Sequence, residues 1–455
     1  MPVKKRVCII GAGPSGMSAM YHFDKLKKQG TEIPEVVCYE KQSNIGGLWN
    51  YTWRTGTDEF GEVVHNSMYR NLWSNGPKEA LEFPDYTFDE HFGKPIASFP
   101  PREVLYDYLK GRWSKADVRS WINVNHKVHD VQYSASADNF IVQVKDLAND
   151  RFLPAETFDY VIISTGHYSV PHLPDFPGLN KFPGRVMHAH NFRDAREFQG
   201  QRLLLIGASY SAEDIALQLA KYGAGNIICT YRTRPMGFKW PANISERPLL
   251  LKVDGKTVHF KDGSTAEVDA IILCTGYLYS YPFLKDDSLR LKTSNILYPD
   301  GLYKNTLWIK GGNKKLMYIA AQDQYYTYTL FDVQAKWCVK YIMGEISLPS
   351  QASMEEDVKK WMSRNESLKD CHDEIDFQAD VIADIGKDAD YGYDLNVSYM
   401  FHVWEDHKHE DILTYRDHSF TSKYTGTTAP VHHTPFMKAM DDSMECFLHG
   451  GGMQK

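Results

Sequence analysis

Short apolar runs, each closed by a glycine turn, recur along the chain. Val7-Cys8-Ile9-Ile10 leads into Gly11-Ala12-Gly13-Pro14-Ser15-Gly16. Met17, Met20, Phe23 and Leu26 then return at helical spacing, Gly30 offers a stop, and Val36-Val37-Cys38-Tyr39-Glu40 reads as a second strand. The layout repeats further on. Arg202-Leu203-Leu204-Leu205-Ile206 precedes Gly207-Ala208-Ser209-Tyr210-Ser211-Ala212, a helix is expected over Glu213 to Tyr222, and Asn226 to Arg232 reads as a strand. Two further strands of buried type, Phe158 to His167 and Val268 to Tyr277, each run into Thr-Gly.

A strand, a glycine turn, a helix and a second strand ending in an acid make up a dinucleotide-binding unit. Gly11 permits the tight turn, Gly13 lets a pyrophosphate approach the backbone, and Gly16 lets the helix pack on the strand. The helix N-terminus offers free N–H groups to phosphate, and Glu40 can accept from a ribose diol. The second unit keeps only the first glycine. Ser209 and Ala212 stand at the other two places, so the phosphate lies slightly farther away or accepts from a hydroxyl. Its second strand ends in Arg232-Thr233-Arg234 instead of an acid. A guanidinium pairs with a 2′-phosphate, which favours NADPH over NADH; the alternative is two solvated surface charges.

The predicted fold is α/β with two Rossmann-like domains, the NADPH domain inserted into a larger, discontinuous FAD domain. The expected boundaries are 1–167 and 281–455 for the FAD domain and 168–280 for the NADPH domain. The charged segment after about 350 lacks a motif; helices and a wrapping tail are expected, with Gly450-Gly451-Gly452 loose.

Composition narrows the class. Charges sum to −7, which argues against a nucleic-acid or anionic-membrane partner. No apolar run reaches the ~18 residues of a membrane span, and the N-terminus reads as having no signal peptide. Seven widely spaced cysteines without Cys-x-x-Cys argue against a disulfide scaffold or a zinc site and for a reducing, cytoplasmic setting. His407, His409, His432 and His433 lack ligand spacing, so no metal site is expected.

Between the two units, Phe182-Pro183-Gly184-Arg185-Val186-Met187-His188-Ala189-His190-Asn191-Phe192 resembles the F-x-G-x-x-x-H-x-x-x-[FY] fingerprint of the flavin-containing monooxygenases. Gly46-Gly47-Leu48-Trp49, Tyr69 to Lys78, Phe99-Pro100-Pro101-Arg102 and Gln322-Asp323-Gln324-Tyr325 extend the resemblance over nearly the whole chain. It is nearest to the bacterial trimethylamine monooxygenase branch. The resemblance implies FAD and NADPH as cofactors, O₂ and a small amine or sulfide as substrates, a C4a-hydroperoxyflavin as oxidant, and a homodimer. Two other classes stay open on the residues alone: a disulfide-reductase-like flavoprotein, which would need a close cysteine pair, and a nucleotide-binding sensor.

The resemblance also implies roles. Gly11, Gly13, Ser15, Gly16, Glu40, Gln42, Gly47, Leu48, Trp49, His65, Val128, Gln322 and Thr327 are expected at FAD, and Tyr69, Asn71, Ser209, Ser211, Arg232 and Thr233 at NADP. Asn75 and Tyr210 are expected nearest the reacting oxygen and in contact with cofactor. Asp323 is either an orienting carboxylate or an ordinary loop acid. Tyr325, Tyr326 and Tyr328 either form an aromatic pocket or pack in the core, and His188 is expected to link the domains.

Overall fold

The structure is a computed structural model that describes residues 4–292 and 296–450. The closing Gly451 and Gly452, expected to be loose, lie outside the described residues.

Two parallel sheets carry the molecule. In the first, Leu316–Tyr318, Tyr160–Ile163, Arg6–Ile10, Glu35–Tyr39 and Ile122–Asn123 lie side by side and parallel, and Leu302–Tyr303 and Leu307–Trp308 add an antiparallel edge. Ile9 pairs with Cys38 on one side and Ile162 on the other. These strands are apolar without alternation because both faces are covered. The helices Pro14–Lys28 and Thr327–Ile342 pack against each other, and their core residues Met20, Phe23, Leu330 and Trp337 join Val7 and Ile9 of the sheet in one cluster. The opposite face packs on the antiparallel strands His126–Ser134 and Asn139–Asp146 through Val128, Phe140 and Val142.

The second sheet runs Arg185–His188, Ala270–Leu273, Leu203–Ile206, Ile227–Tyr231 and Ile244–Pro248, all parallel. All its strands come from a stretch lying between Tyr160–Ile163 and Leu302–Tyr303 of the first sheet. The second dinucleotide unit is thus inserted into the first. Val170–Pro171 pairs with Tyr277–Leu278, bringing the two ends of the insertion together.

In each sheet the chain leaves one strand for a neighbour on one side and later fills the other side. Arg6–Ile10 and Leu203–Ile206 therefore sit at the two topological switch points, where open α/β sheets bind ligands. Gly11 and Gly207 occupy the carboxyl ends of those strands.

The second helix begins at Tyr210 rather than Glu213. Ser209 is extended (φ −141°) and serves as the N-cap residue, so Tyr210, Ser211 and Ala212 already form the first helical turn. After 350 the chain forms the helices Gln351–Glu366, Cys371–Ala389, Val397–Glu410 and Met444–His449, joined by loops that return to the nucleotide-binding units.

Candidate active site

A continuous cavity of about 1650 Å³ joins the two glycine turns. This is larger than the roughly 300–1,000 Å³ of a pocket for one drug-sized ligand, and suits two extended ligands better than one.

At its first end the turn is shaped by close contacts. Gly11 has φ +100°, and a Cβ there would stand 2.6 Å from the Ser164 carbonyl oxygen. A Cβ on Gly16 would stand 2.0 Å from the Gly11 carbonyl oxygen, so Gly16 acts in packing and does not line the cavity. Gly13 lies beside Gly47, both on the cavity wall with Ser15, Leu48 and Trp49. Glu40 is buried; its carboxylate accepts from the Ala12 amide at 2.7 Å and the Gln42 amide at 2.8 Å. Burial raises its carboxyl above the ordinary range, and those two amides pull it back. Gln42, His65, Val128 and Thr327 complete this end. Burial lowers His65 to about 4, with Lys41 adding to the effect. Thr327 opens the helix Thr327–Ile342 and lines the cavity, so the positive end of that helix lies at this end of the site.

At the second end Ser209, Tyr210 and Ser211 are exposed to the cavity, with Arg232, Thr233 and Arg234 beyond them. Among the described residues neither arginine forms an ion pair. Asn75, exposed, and Tyr69 line the wall between the two ends. The Tyr69 hydroxyl donates to Asp214. Asp323 lines the cavity 3.4 Å from His167.

Besides Gly16, two expected ligand contacts fall elsewhere. Asn71 does not line the cavity; its amide donates to the Tyr222 hydroxyl at 3.1 Å and to Asp442 at 2.5 Å. Gln322 is fully buried just outside the cavity wall, and neither end of its amide has a partner among the described residues. Tyr210 lines the cavity, but its hydroxyl is engaged, donating to Glu405 at 3.0 Å while the ring stacks on Trp404. The tyrosine cluster divides. Tyr325 and Tyr328 face the cavity and Tyr326 is core. His188 lies at the edge of the second sheet, buried, with its Nδ1 accepting from the His190 amide.

Sequence reasoning missed the contribution of the C-terminal segment. Glu374, Phe401 and Trp404 line the cavity, and Arg416 reaches Asp214 on its wall. No local motif marks them.

The residues present fit dinucleotides. The Ser164 and Thr165 hydroxyls beside the first turn, on residues that line the cavity, are buried polar groups without partners among the described residues. Buried polar groups are normally paired, so a polar ligand is the expected complement. Among the described residues no group of three or more His, Cys, Asp and Glu side chains is close enough to hold a metal, and no helix is long and apolar enough to cross a membrane.

The flavin-binding monooxygenase-like family model matches residues 4–236 and 241–397. The trimethylamine monooxygenase of Methylocella silvestris is 53% identical over 444 residues, covering 97% of this chain and 98% of that protein. The crystal structure of Tmm from Pelagibacter sp. strain HTCC7211 superposes with a TM-score of 0.95 at 52% identity, over 98% of this chain and 100% of that one. S-allyl-L-cysteine S-oxygenase from Allium sativum superposes with a TM-score of 0.78 at 27% identity, over 91% and 95%. With the family model matching most of the chain and relatives this similar along nearly its full length, the chain belongs to the flavin-binding monooxygenase-like family.

Proposed function

We propose that this enzyme N-oxygenates small tertiary amines, trimethylamine first among them, and also oxidises small sulfides, at the expense of NADPH and O₂. The observation that carries the reading is the single cavity joining two unequal glycine turns, one ending in a buried acid and the other in free arginines. Full-length similarity to trimethylamine monooxygenases supports the choice of substrate. The overall reaction balances as amine, NADPH, H⁺ and O₂ going to amine N-oxide, NADP⁺ and water.

Bound FAD, reduced by NADPH, supplies the activated oxygen; the chain supplies binding, orientation and a dry site. Gly11, Gly13 and Ser15 would hold the FAD pyrophosphate, Glu40 its ribose, and the N-terminus of Thr327–Ile342 its polar edge. Arg232 and Thr233 would take the 2′-phosphate of the coenzyme, and Ser209 and Ser211 its diphosphate. Asn75 carries an amide that can donate and accept at once, which suits a residue that orients oxygen. Tyr210, its hydroxyl held by Glu405, would shield that point from water with its ring. Asp323 would orient coenzyme or amine. We place the domain boundaries near 167 and 280, next to the paired strands Val170–Pro171 and Tyr277–Leu278.

A disulfide reductase is disfavoured. All seven cysteines are free, and five are buried with thiols pushed above their ordinary value by burial, the inert kind. The wide spacing of the cysteines favours a cytoplasmic setting, and we expect a homodimer, which sedimentation of the holoenzyme would test. Mixing the yellow protein with NADPH, O₂ and trimethylamine tests the reaction: about one N-oxide per NADPH is expected. NADPH oxidation that yields only H₂O₂ with every small amine and sulfide offered would overturn it.

A further inference from the structure

The chain beyond residue 397 grips one helix. Tyr210–Lys221, whose N-terminus faces the cavity, buries three charged side chains, Glu213, Asp214 and Lys221. Each meets an opposite charge from the C-terminal segment: Lys408 lies 2.8 Å from Glu213, Arg416 2.5 Å from Asp214, and Asp442 3.2 Å from Lys221.

Two of these partners also hold the facing wall, the first-unit loop from Tyr69 to Asn75. Arg416 donates through Nε to the Ser74 carbonyl at 3.0 Å, and the Tyr69 hydroxyl donates to Asp214. The Asp442 side chain, 6% exposed, is the junction. One carboxylate oxygen accepts from Lys221 and the Trp73 indole, the other from the Tyr222 hydroxyl and the Asn71 amide. Four donors from two walls thus fill a carboxylate's roughly four lone-pair sites. This is also where the Asn71 side chain goes instead of to coenzyme.

We propose that the C-terminal segment is a clamp fixing the register of the coenzyme helix against the flavin-side loop, with Asp442 as the principal positioning residue. The inference rests on the reading of the cavity given above. Ser209 and Tyr210 on one wall and Asn75 on the other stand where they do because the junction ties the two walls. A misplacement of about 1 Å far from the chemistry can cost about 10²-fold in rate, so a slack junction would spoil hydride delivery and leak reducing equivalents to O₂. A carboxylate is required there. An asparagine offers one acceptor oxygen and turns an N–H₂ toward two other donors.

Holoenzyme variants separate positioning from mere stability. Asp442→Asn leaves the Lys221 charge buried without a counter-charge, and removing one partner of a buried pair is destabilising; the double variant Lys221→Met with Asp442→Asn removes both charges and carries the test. Lys221→Met alone also leaves a buried charge, that of Asp442, without its counter-charge and should lower stability in the same way, but Asp442 still accepts from Trp73, Asn71 and Tyr222, so the NADPH KM should change by less than about threefold. The double variant should keep FAD, raise the NADPH KM at least about tenfold and divert most NADPH oxidation to H₂O₂. A double variant with the parental KM and coupling would overturn the clamp. Titration of the parent with NADP⁺, followed by the flavin spectrum, distinguishes the two failures. A parent that does not bind NADP⁺ refutes the cavity reading, whereas a parent and double variant that bind alike refute the clamp.

Discussion

The two nucleotide turns share a plan and differ at every position that decides how tightly a ligand is held. Both open with a glycine at positive φ, +100° at Gly11 and +141° at Gly207, whose missing Cβ would strike the Ser164 or the Cys274 carbonyl. From there they diverge. The first turn allows nothing larger than hydrogen at Gly16, faces a second glycine across Gly13, and ends in the buried acid Glu40. The second accommodates Ala212 in its core and exposes Ser209, Tyr210 and Ser211 together with Arg232. A buried, tightly shaped site suits a resident cofactor. An open, charged one suits a coenzyme that must arrive, react and leave. The same fold can serve both because burial and charge are set by side chains while the backbone path stays the same.

That contrast can be broken most severely at Gly16. Gly16→Ala drives a Cβ into the Gly11 carbonyl from 2.0 Å, so the purified variant should be colourless or fail to retain FAD, as its absorbance spectrum will report. Next in size is Asn75→Leu. It should keep FAD and its reduction by NADPH, yet lose about 10²–10³ in N-oxide formation, the usual loss when an oriented donor is removed from a dry site; H₂O₂ and N-oxide counted per NADPH check this. Arg232→Ala should lower kcat/KM for NADPH about ten- to a hundredfold and leave NADH nearly unchanged, and equal losses for both would make the arginine structural. A pH series comes next. Alkylammonium groups titrate near 10 and only the free amine has a lone pair to oxygenate, so kcat/KM for trimethylamine should rise by up to about tenfold per pH unit above neutrality. His65, held near 4, stays uncharged across that range and cannot supply the slope. A sulfide substrate should give a flatter profile, and superimposable profiles would show another step in control. The smallest effect is expected from Ala212→Gly, which only loosens the first turn of a helix at a cost of about 1 kcal/mol and should move the NADPH KM by less than about threefold.

Much of this was legible in the chain because the nucleotide turns are local devices. Glycine spacing, flanking strands and the terminal Glu40 or Arg232 all lie within about 30 residues of each other, the span of one βαβ unit. The insertion of one unit in the other was legible too, since the paired Thr-Gly strands bracket the second turn. Side-chain direction in the connecting loop was not. Asn71 and Asn75 are four residues apart in one polar stretch, but Asn71 turns to Asp442, far along the chain, and Asn75 to the cavity. Nothing near Asn71 encodes that partner. Arg416 and Asp442 were silent for the same reason: a lone charge in a motif-free tail looks solvated until the fold buries it against an opposite charge. Tyr210 was legible as a cavity residue, whereas the engagement of its hydroxyl by Glu405 depends on the helix Val397–Glu410.

Retention of one ligand and exchange of the other is the most direct test of the account. The holoenzyme would be given NADPH, O₂ and trimethylamine for many turnovers and then separated from small molecules by gel filtration. The account predicts about one FAD per chain still on the protein, and NADP⁺ in the small-molecule fraction in an amount matching the trimethylamine N-oxide. FAD leaving together with the coenzyme, or NADP⁺ accumulating without N-oxide, would contradict it.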